Sequence, residues 1–242
     1  MKKTIIALAV AASSLPALAQ KAPEPSYTLS ANVGLFSDYR FRGVSQTNNK
    51  PALQGGFDFA HKSGFYAGNW NSSIAWLDDG LLGTSSGLES DVYVGYKFDL
   101  AGVGLDVGNL YYYYAGEDMD SNVNTNEVYV GLSYGPVSFK TSYTTSAGYF
   151  GFAGKGTLYY SLSGAFPVSD TLSLKASYGK QVGKEDVESG VDYSVGIAAD
   201  LGDGWSLGLS YIGTSGDVKD ITNAATPEWV KSAAVVSISR SF

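Results

Sequence analysis

The chain ends in the stretch Ala234-Val235-Val236-Ser237-Ile238-Ser239-Arg240-Ser241-Phe242, and this stretch decides how the rest is interpreted. Every second side chain in it is mostly apolar, the pattern of a strand with one apolar face. A last strand that ends on an aromatic residue is typical of bacterial outer-membrane β-barrels, in which it pairs with the first strand. We therefore take Phe242 as the assembly signal. Arg240 stands where such endings usually carry an apolar residue, and we expect it to reach the periplasmic interface.

The beginning of the chain predicts export. Met1-Lys2-Lys3 is a short basic start, residues 5–18 are largely apolar, and Ala17-Leu18-Ala19 resembles a cleavage signal. We expect a signal peptide over residues 1–19, cleaved after Ala19, and a single barrel domain over residues 20–242. The expected location is the outer membrane of a Gram-negative bacterium.

The composition fits a sheet with one face on lipid and the other on a polar lumen. The chain has 30 Gly, 18 Tyr and 11 Phe, with only 16% charged residues. After the signal, no segment approaches the ~18 consecutive apolar residues of a membrane-spanning helix. The net charge of −7 disfavours nucleic acid as a partner, because phosphate binding needs clustered Lys and Arg. The sequence contains no Cys, which excludes disulfides and thiolate chemistry.

Alternating segments, joined by connections that are short and long in turn, predict twelve antiparallel strands. Short connections such as 61–64 and 201–204 consist of turn-forming residues, whereas 77–88 and 214–228 are long and polar. In outer-membrane barrels the short side is periplasmic, so an all-β up-and-down barrel with both termini periplasmic is expected. A miscount by one hairpin would give ten or fourteen strands. The predicted strands are residues 27–41, 52–61, 64–76, 89–99, 102–114, 126–135, 136–145, 157–166, 170–180, 190–200, 204–213 and 229–242.

A soluble antiparallel barrel or sandwich is the alternative architecture, because it also alternates and turns often. Its second face would have to build an apolar core, whereas here that face carries Ser, Thr, Asn, Gly, Asp and Lys. Aromatic residues also collect at both ends of the apolar faces, as in interfacial girdles. The predicted girdles are Tyr39, Phe41, Trp76, Tyr111 and Tyr113 on the loop side, with Phe98, Tyr134, Phe166, Trp205 and Phe242 on the turn side.

Four blocks near the start of the chain are distinctive. Residues 37–47 have the sequence SDYRFRGVSQT, and residues 51–58 have the sequence PALQGGFD. Together with residues 63–70 and 89–96, they resemble the opening signature of the TorF-type porins, a family of bacterial outer-membrane proteins also called Gcw_chp. The resemblance implies an outer-membrane barrel of porin type and does not supply a substrate.

Charged and amide side chains of these blocks form the predicted constriction. The parity of the first strand turns Arg40 and Arg42 inward and leaves Tyr39 and Phe41 on lipid. Cations facing anions across a pore would set a transverse field that selects charged solutes. In the opposing interpretation the ions only neutralise one another, because unpaired charges in a narrow barrel are costly. The predicted pore-lining residues are Asp38, Arg40, Arg42, Asp58, Asn69, Asn71, Glu89 and Asp91.

Strand number predicts a narrow lumen. Barrels of about eight strands are filled by side chains, and those of about sixteen or more leave an aqueous channel. We therefore predict passive diffusion of small polar or charged solutes. The alternative is a non-conducting structural or receptor barrel whose lumen is closed by ion pairs. Expected partners are outer-membrane lipid, lipopolysaccharide, the barrel assembly machinery and small polar solutes; the oligomeric state is left open.

An enzymatic barrel is the remaining class. Outer-membrane hydrolases move protons with a His beside Ser or Asp. The only His is His61, in a predicted short turn far from any Ser–Asp cluster of the loop side. The acidic stretch Glu117-Asp118-Met119-Asp120 lacks the spaced ligands and the Gly of a calcium loop. From these residues we expect no enzymatic activity, no cofactor and no metal.

Overall fold

The computed structural model describes residues 25–77, 86–116, 123–216 and 228–242. The predicted signal peptide, residues 1–19, and the acidic stretch 117–120 lie outside the described residues. Within the described ranges, no helix is both long enough and apolar enough to cross a membrane. The strands there are β1 (Tyr27–Phe36), β2 (Arg40–Phe41), β3 (Val44–Ser45), β4 (Ala52–His61), β5 (Phe65–Ser73), β6 (Leu88–Leu100), β7 (Val103–Tyr114), β8 (Thr125–Tyr134), β9 (Val137–Thr144), β10 (Gly148–Tyr149), β11 (Phe152–Ala153), β12 (Leu158–Pro167), β13 (Leu172–Val182), β14 (Gly190–Gly202), β15 (Trp205–Gly216) and β16 (Ala233–Ser241); a 3-10 helix spans Glu228–Val230.

Twelve of these strands close into one antiparallel barrel. Its order is β1-β16-β15-β14-β13-β12-β9-β8-β7-β6-β5-β4, so neighbours along the chain pair all the way round and the last strand meets the first. The predicted all-β, twelve-stranded, up-and-down barrel is confirmed. The hairpins β2–β3 and β10–β11 stand in two of the long connections, at the end called here the loop end.

The period-two alternation places apolar side chains outside and polar ones inside. On β6, Val92 and Val94 are 53% and 43% exposed, whereas Glu89 and Asp91 are 1% and 7% exposed. An outer face this apolar suits a lipid environment, in which the closed sheet satisfies its own backbone groups. The barrel is therefore the inverse of a soluble one with an apolar core.

The other end of the barrel, the turn end, carries the short connections and both termini of the described chain. Tyr27 at the start of β1 lies opposite His61, and Ser241 at the end of β16 lies opposite Asn32. A representative turn joins β6 to β7 through Ala101–Gly102, whose φ angles are 55° and 84°. Two-residue hairpin turns of this kind require positive φ at both positions.

The seam that closes the ring is short. β1 pairs with β4 from Tyr27 to Phe36, but it pairs with β16 only from Asn32 to Phe36. Backbone bonds extend the seam at both ends: Phe242 N donates to Ala31 O at 2.9 Å, Ala31 N donates to Phe242 O at 3.4 Å, and Ser37 N donates to Val236 O at 2.8 Å. Closure therefore depends on half of the first strand.

Two details of the sequence prediction are wrong at the loop end. The strand predicted over residues 27–41 ends at Phe36, because the chain then leaves the wall and enters the lumen. Trp76, predicted in the outer girdle, packs edge-on against the buried Tyr114 at a centroid distance of 5.3 Å, inside the barrel. Tyr111 keeps its predicted place, since it lies opposite the exposed Val92.

Candidate functional site

Residues 37–51, called here the inner loop, turn from the end of β1 into the lumen. Asp38 organises the loop: its Oδ1 accepts bonds from Ser45 Oγ at 2.6 Å and from Thr47 Oγ1 at 3.1 Å. Asp38 points inward as predicted and is only 5% exposed. Its carboxylate is therefore committed to the fold of the loop.

Arg40 ties the inner loop to itself and to the chain before β16. Its Nε donates to Asp38 Oδ2 at 2.5 Å, and its Nη1 donates to Lys231 O at 2.7 Å and to Trp229 O at 3.2 Å. The side chain is 1% exposed. Arg40 thus lies inside the barrel as predicted, but as a cation whose hydrogen bonds hold the loop in place.

The prediction that Tyr39 and Phe41 face lipid is wrong. Tyr39 is buried and donates its hydroxyl to Glu89 Oε1 at 3.0 Å. Phe41 packs edge-on against Tyr112 and Phe150, at centroid distances of 5.7 and 5.4 Å. Because the hairpin stands inside the lumen, both of its faces are internal. Burial, reinforced by the charge of Glu89, raises the pKa of Tyr39 well above its ordinary value, so its hydroxyl remains a donor.

Arg42 lies at the tip of the β2–β3 hairpin and reaches the far wall of the barrel. Its Nη2 donates to both carboxylate oxygens of Glu127, each at 2.8 Å, and its Nη1 donates to Tyr149 Oη at 2.7 Å. Nη1 also donates to Gln181 Oε1 at 3.3 Å. The guanidinium carbon lies 4.0 Å from the centroid of the Tyr159 ring. These groups come from β8, β10, β12 and β13, and together they surround the guanidinium.

The hairpin tip is a tight turn with an unusual residue in it. Arg42 and Gly43 have φ angles of 47° and 83°, the geometry that favours Asn-Gly. Gly43 is required by space as well, because a Cβ there would lie 2.8 Å from Gly213 O and 3.0 Å from Asp192 Cβ. The tip therefore touches β14 and β15, and the inner loop spans the lumen.

The Arg42–Glu127 pair is a buried ion pair. The two side chains are 9% and 2% exposed. Burial alone would lower the pKa of Arg42, but the charge of Glu127, together with Tyr149, Tyr112 and the hydrogen bond to Glu127, outweighs it, and the pKa lies well above its ordinary value. Arg42 is thus a fixed cation, and removal of either partner would leave an uncompensated buried charge.

A second loop from the same end meets the tip of the inner loop. It carries β10–β11, and its Tyr149 donates a short hydrogen bond to Gln181 Oε1. Phe150 packs against Tyr112 and Phe41, with centroids 5.0 and 5.4 Å away. Burial, partly offset by the Arg42 charge, raises the pKa of Tyr149 to about 12, so Tyr149 stays protonated. The two loops together fill the loop end of the lumen.

Glu89, Asp91 and Glu127 are buried carboxylates on the inner wall beside these loops. Glu89 and Asp91 lie on the lumen face, as predicted. Among the described residues, Asp91 Oδ1 has no hydrogen-bond partner although it is buried. Within the described ranges, no group of three or more carboxylate or His side chains is arranged to hold a metal ion. Within this cluster Glu127 is bonded by Arg42, and Glu89 accepts from the Tyr39 hydroxyl.

Asp58 also faces inward, as predicted. It accepts a hydrogen bond from Tyr93 Oη at 2.6 Å. The two residues stand on β4 and β6, and the intervening strand leaves room for them at Gly68, where a Cβ would strike the Tyr93 ring. Asp58 is therefore engaged by a tyrosine of the wall.

The predicted lumen positions of Asn69 and Asn71 are wrong. Asn69 lies directly opposite Phe57 and Val92, whose side chains are 69% and 53% exposed on the outer face. Residues opposite one another in a sheet share a face. One bond joins the two amides, from Asn71 Nδ2 to Asn69 Oδ1 at 2.5 Å, and Asn69 Nδ2 donates to Ser90 Oγ at 3.1 Å and to Asp91 O at 3.0 Å. The strand instead turns Trp70 inward, toward Tyr39.

Below the two loops, the turn end of the lumen is accessible to water, and we call it the turn-end chamber. The Lys97 side chain is 64% exposed, and its Nζ lies 3.9 Å from Asp106 Oδ2. Lys140 Nζ lies 3.8 Å from the centroid of the Tyr129 ring, also on the inner face. Lys175 on β13 is a further exposed cation, at a position whose side chain faces the lumen. The chamber thus presents several cations to water, in contrast to the buried carboxylates above it.

At the chain end, Phe242 and Arg240 lie on the outer face of the turn end. The Arg240 guanidinium carbon lies 4.8 Å from the centroid of the Phe242 ring and 5.4 Å from that of Trp205. These two rings cover its charge where the strand passes toward water. The unusual cation before the final aromatic residue is therefore accommodated by stacking.

Solved structures similar to this chain include outer-membrane porins. The NanC porin has a TM-score of 0.54 at 11% identity, covering 89% of this chain and 99% of that chain. The KdgM porin, solved in complex with disordered oligogalacturonate, has a TM-score of 0.54 at 8% identity, covering 88% of this chain and 98% of that chain. At these identities the similarity shows the barrel fold alone.

The comparisons correct one expectation. We expected no enzymatic activity, but outer membrane phospholipase A from Escherichia coli is also among the similar structures, with a TM-score of 0.48 at 11% identity, covering 88% of this chain and 89% of that chain. The exclusion of an enzyme, which rested on the position of His61, is therefore wrong. His61 is the last residue of β4, beside the predicted short turn, and its Nδ1 and Ser63 Oγ are 2.8 Å apart.

The sequence itself shows the family. No curated protein matches the chain. A family model does, over residues 20–242, and its description is "Bacterial protein of unknown function (Gcw_chp)". The match covers every described residue, including all twelve strands of the barrel and the inner loop. The chain belongs to the Gcw_chp family.

Proposed function

We propose that this protein is a narrow outer-membrane porin, through which small polar or charged solutes diffuse passively when the inner loop leaves the lumen. One observation carries the proposal: water reaches the turn-end chamber, whereas the loop end is filled by loops and not by the wall. In the described chain, the hairpins β2–β3 and β10–β11 pair within themselves and not with the strands of the barrel wall, and such elements rearrange more readily than a closed sheet.

The proposed orientation follows from the two ends of the barrel. Long connections face the outside and its lipopolysaccharide, and the short turns with both termini face the periplasm. The signal peptide, residues 1–19, is removed after Ala19, and the barrel assembly machinery recognises the strand that ends at Phe242. The porin role implied by the TorF-type resemblance agrees with this arrangement.

The residues of the constriction have two different roles. Asp38 and Arg40 hold the inner loop in shape, and Arg42 with Glu127 fixes it to the far wall. Once the loop withdraws, Glu89, Asp91 and Glu127 would become exposed to the lumen and would favour cations at the loop end. The lysines of the turn-end chamber would favour anions. Asn69 and Asn71 have no part in this pore.

The second candidate is a non-conducting barrel that serves a structural or receptor role. It is favoured by the burial of the Arg42–Glu127 pair, because buried ion pairs with good geometry can simply neutralise each other. In this case the inner loop would be a permanent part of the core.

Recording in planar bilayers separates the two candidates. We expect infrequent openings from the wild-type protein and frequent or sustained openings from Arg42→Asn, which suits the turn geometry and removes the guanidinium. Lys155→Asn is the matched control, because Lys155 is an exposed cation of the same end. Silence of the folded wild type and of folded Arg42→Asn would support the non-conducting barrel.

A further inference from the structure

The surroundings of the Arg42 guanidinium have the composition of a ligand site. A carboxylate, a phenol, an amide oxygen and an aromatic face meet it, from Glu127, Tyr149, Gln181 and Tyr159. We call these four residues the cation cage. None of them belongs to the inner loop. Gln181 is itself oriented, since its Nε2 donates to Glu188 O at 3.0 Å and leaves Oε1 turned to the guanidinium.

The cage contacts only the end of the arginine side chain. Nη1 and Nη2 are fully engaged, whereas the buried Nε has no hydrogen-bond partner among the described residues. One nitrogen donates to the carboxylate of Glu127, the other donates to Tyr149 and Gln181, and the plane stacks on Tyr159, an arrangement that fits a planar guanidinium or amidinium group with two donor nitrogens. A primary ammonium group is a compact point charge and matches this arrangement less well.

The backbone also indicates that Arg42 is present for its side chain. Its φ of 47° lies in the left-handed region, where Asn, Asp or Gly is favoured over Arg. An observed backbone outlier of this kind is a reason to look for function at that residue. Here the residue places a guanidinium in the cage.

We infer that the cation cage is a binding site for the guanidinium or amidinium end of a small solute, and that Arg42 is its internal occupant. Glu127 carries the charge recognition, the Tyr159 ring covers the planar group, and Tyr149 and Gln181 accept from its second nitrogen. A solute that enters the cage displaces Arg42 and thereby the inner loop. This last step rests on the proposed porin function, whereas the site itself does not.

Calorimetric titration of folded protein in detergent micelles tests the site. Methylguanidinium chloride is expected to bind Arg42→Asn with a dissociation constant of about 1 mM, which is ordinary for one small charged group. Under the same conditions the wild type should show at least tenfold weaker binding, because Arg42 fills the cage. Adding Glu127→Gln to Arg42→Asn should abolish the binding. Methylammonium chloride at equal ionic strength is the control ligand. Equal binding of methylammonium, or equal binding by the wild type, would overturn the inference.

A second measurement needs only the wild-type protein. Methylguanidinium at tens of millimolar, above the ~1 mM scale of the free site, should compete with Arg42 and expose the inner loop. Proteinase K cleavage within residues 37–51, mapped by mass spectrometry, should then increase severalfold over the methylammonium control. No increase, together with no binding to Arg42→Asn, would rule out the cage. Binding of methylguanidinium in micelles without conductance in bilayers would support the cation cage and contradict the porin function. Conductance without binding would support the porin function and contradict the cation cage.

Discussion

The ring of Tyr159 covers the guanidinium carbon of Arg42 at 4.0 Å, although the two residues belong to opposite sides of the barrel. Arg42 comes from the loop between β1 and β4, and Tyr159 is an inward residue of β12. The contact therefore records how far the inner loop extends across the lumen. The contact also joins Arg42, a residue of the distinctive block 37–47, to β12, a wall strand that lies outside the four distinctive blocks.

Glu127→Gln should release the inner loop. Without the carboxylate, Arg42 becomes a buried charge lacking its partner, a situation that costs about 3–5 kcal/mol. Withdrawal of the loop relieves this cost, so trypsin should cleave after Arg40 or Arg42, which are protected in the wild type. Glu188→Gln is the control, because Glu188 is exposed. Unchanged protection in Glu127→Gln would show that the aromatic contacts of the loop suffice to hold it.

Charge reversal in the turn-end chamber should change ion preference. Lys97 and Lys140 are two of its inward cations, and Lys97 is well exposed to water. In the Arg42→Asn background, adding Lys97→Glu and Lys140→Glu should shift the reversal potential under a salt gradient toward cation selectivity. Lys180→Glu, on the outer face of β13, is the control and should leave the reversal potential unchanged. A shift of equal size in the control would remove the lysines from the selectivity argument.

The amide pair on the outer face should be replaceable by apolar residues. Asn69 and Asn71 bond to each other beside the exposed Phe57. Replacing both partners of such a pair by apolar groups is often close to neutral, so Asn69→Leu with Asn71→Leu should unfold from lipid vesicles within about 1 kcal/mol of the wild type. Ser72→Leu, at the buried lumen position that follows Asn71, should be strongly destabilising. A double variant as unstable as Ser72→Leu would contradict the assigned face.

The stacking of Arg240 at the chain end predicts that substitutions there lower the stability of the barrel by different amounts. Arg240→Lys keeps the charge over the rings of Phe242 and Trp205, whereas Arg240→Glu places an anion against their negative faces. The loss in Arg240→Glu should be about 1 kcal/mol, on the scale of exposed cation–π contacts, with a smaller loss in Arg240→Lys. Urea unfolding in lipid vesicles measures it. Indistinguishable midpoints for the two variants would exclude a stacking contribution.

Most of the barrel was predictable because period-two alternation and turn chemistry are local properties. Val92 and Val94 against Glu89 and Asp91 fix the faces of β6 without any knowledge of the neighbouring strands. The strand with Asn69 and Trp70 resisted assignment for a physical reason: each face carries both an aromatic and a polar residue. Counting in twos from Phe65 at the tight turn would have placed Asn69 outside.

The interior of the loop end was not predictable. The alternation of Tyr39, Arg40, Phe41 and Arg42 continues that of β1. The pattern therefore predicts a longer strand, although β1 ends at Phe36. Gly43 was the available signal, since a glycine after Arg within a hydrophobic alternation permits a tight turn. The cage residue Tyr159 carried no signal at all, because its contact with Arg42 exists only once a distant loop has folded inward.

The half-length seam between β1 and β16 has a mechanical consequence. A closed sheet yields first at the strand pair with the fewest backbone hydrogen bonds. Here that joint is paired only from Asn32 to Phe36, with further bonds between Ala31 and Phe242 and from Ser37 to Val236. Amide hydrogens along this joint should exchange before those of the other strand pairs. Ser37 stands at its upper edge, bonded to Val236, so the root of the inner loop lies against the part of the wall that gives way most easily.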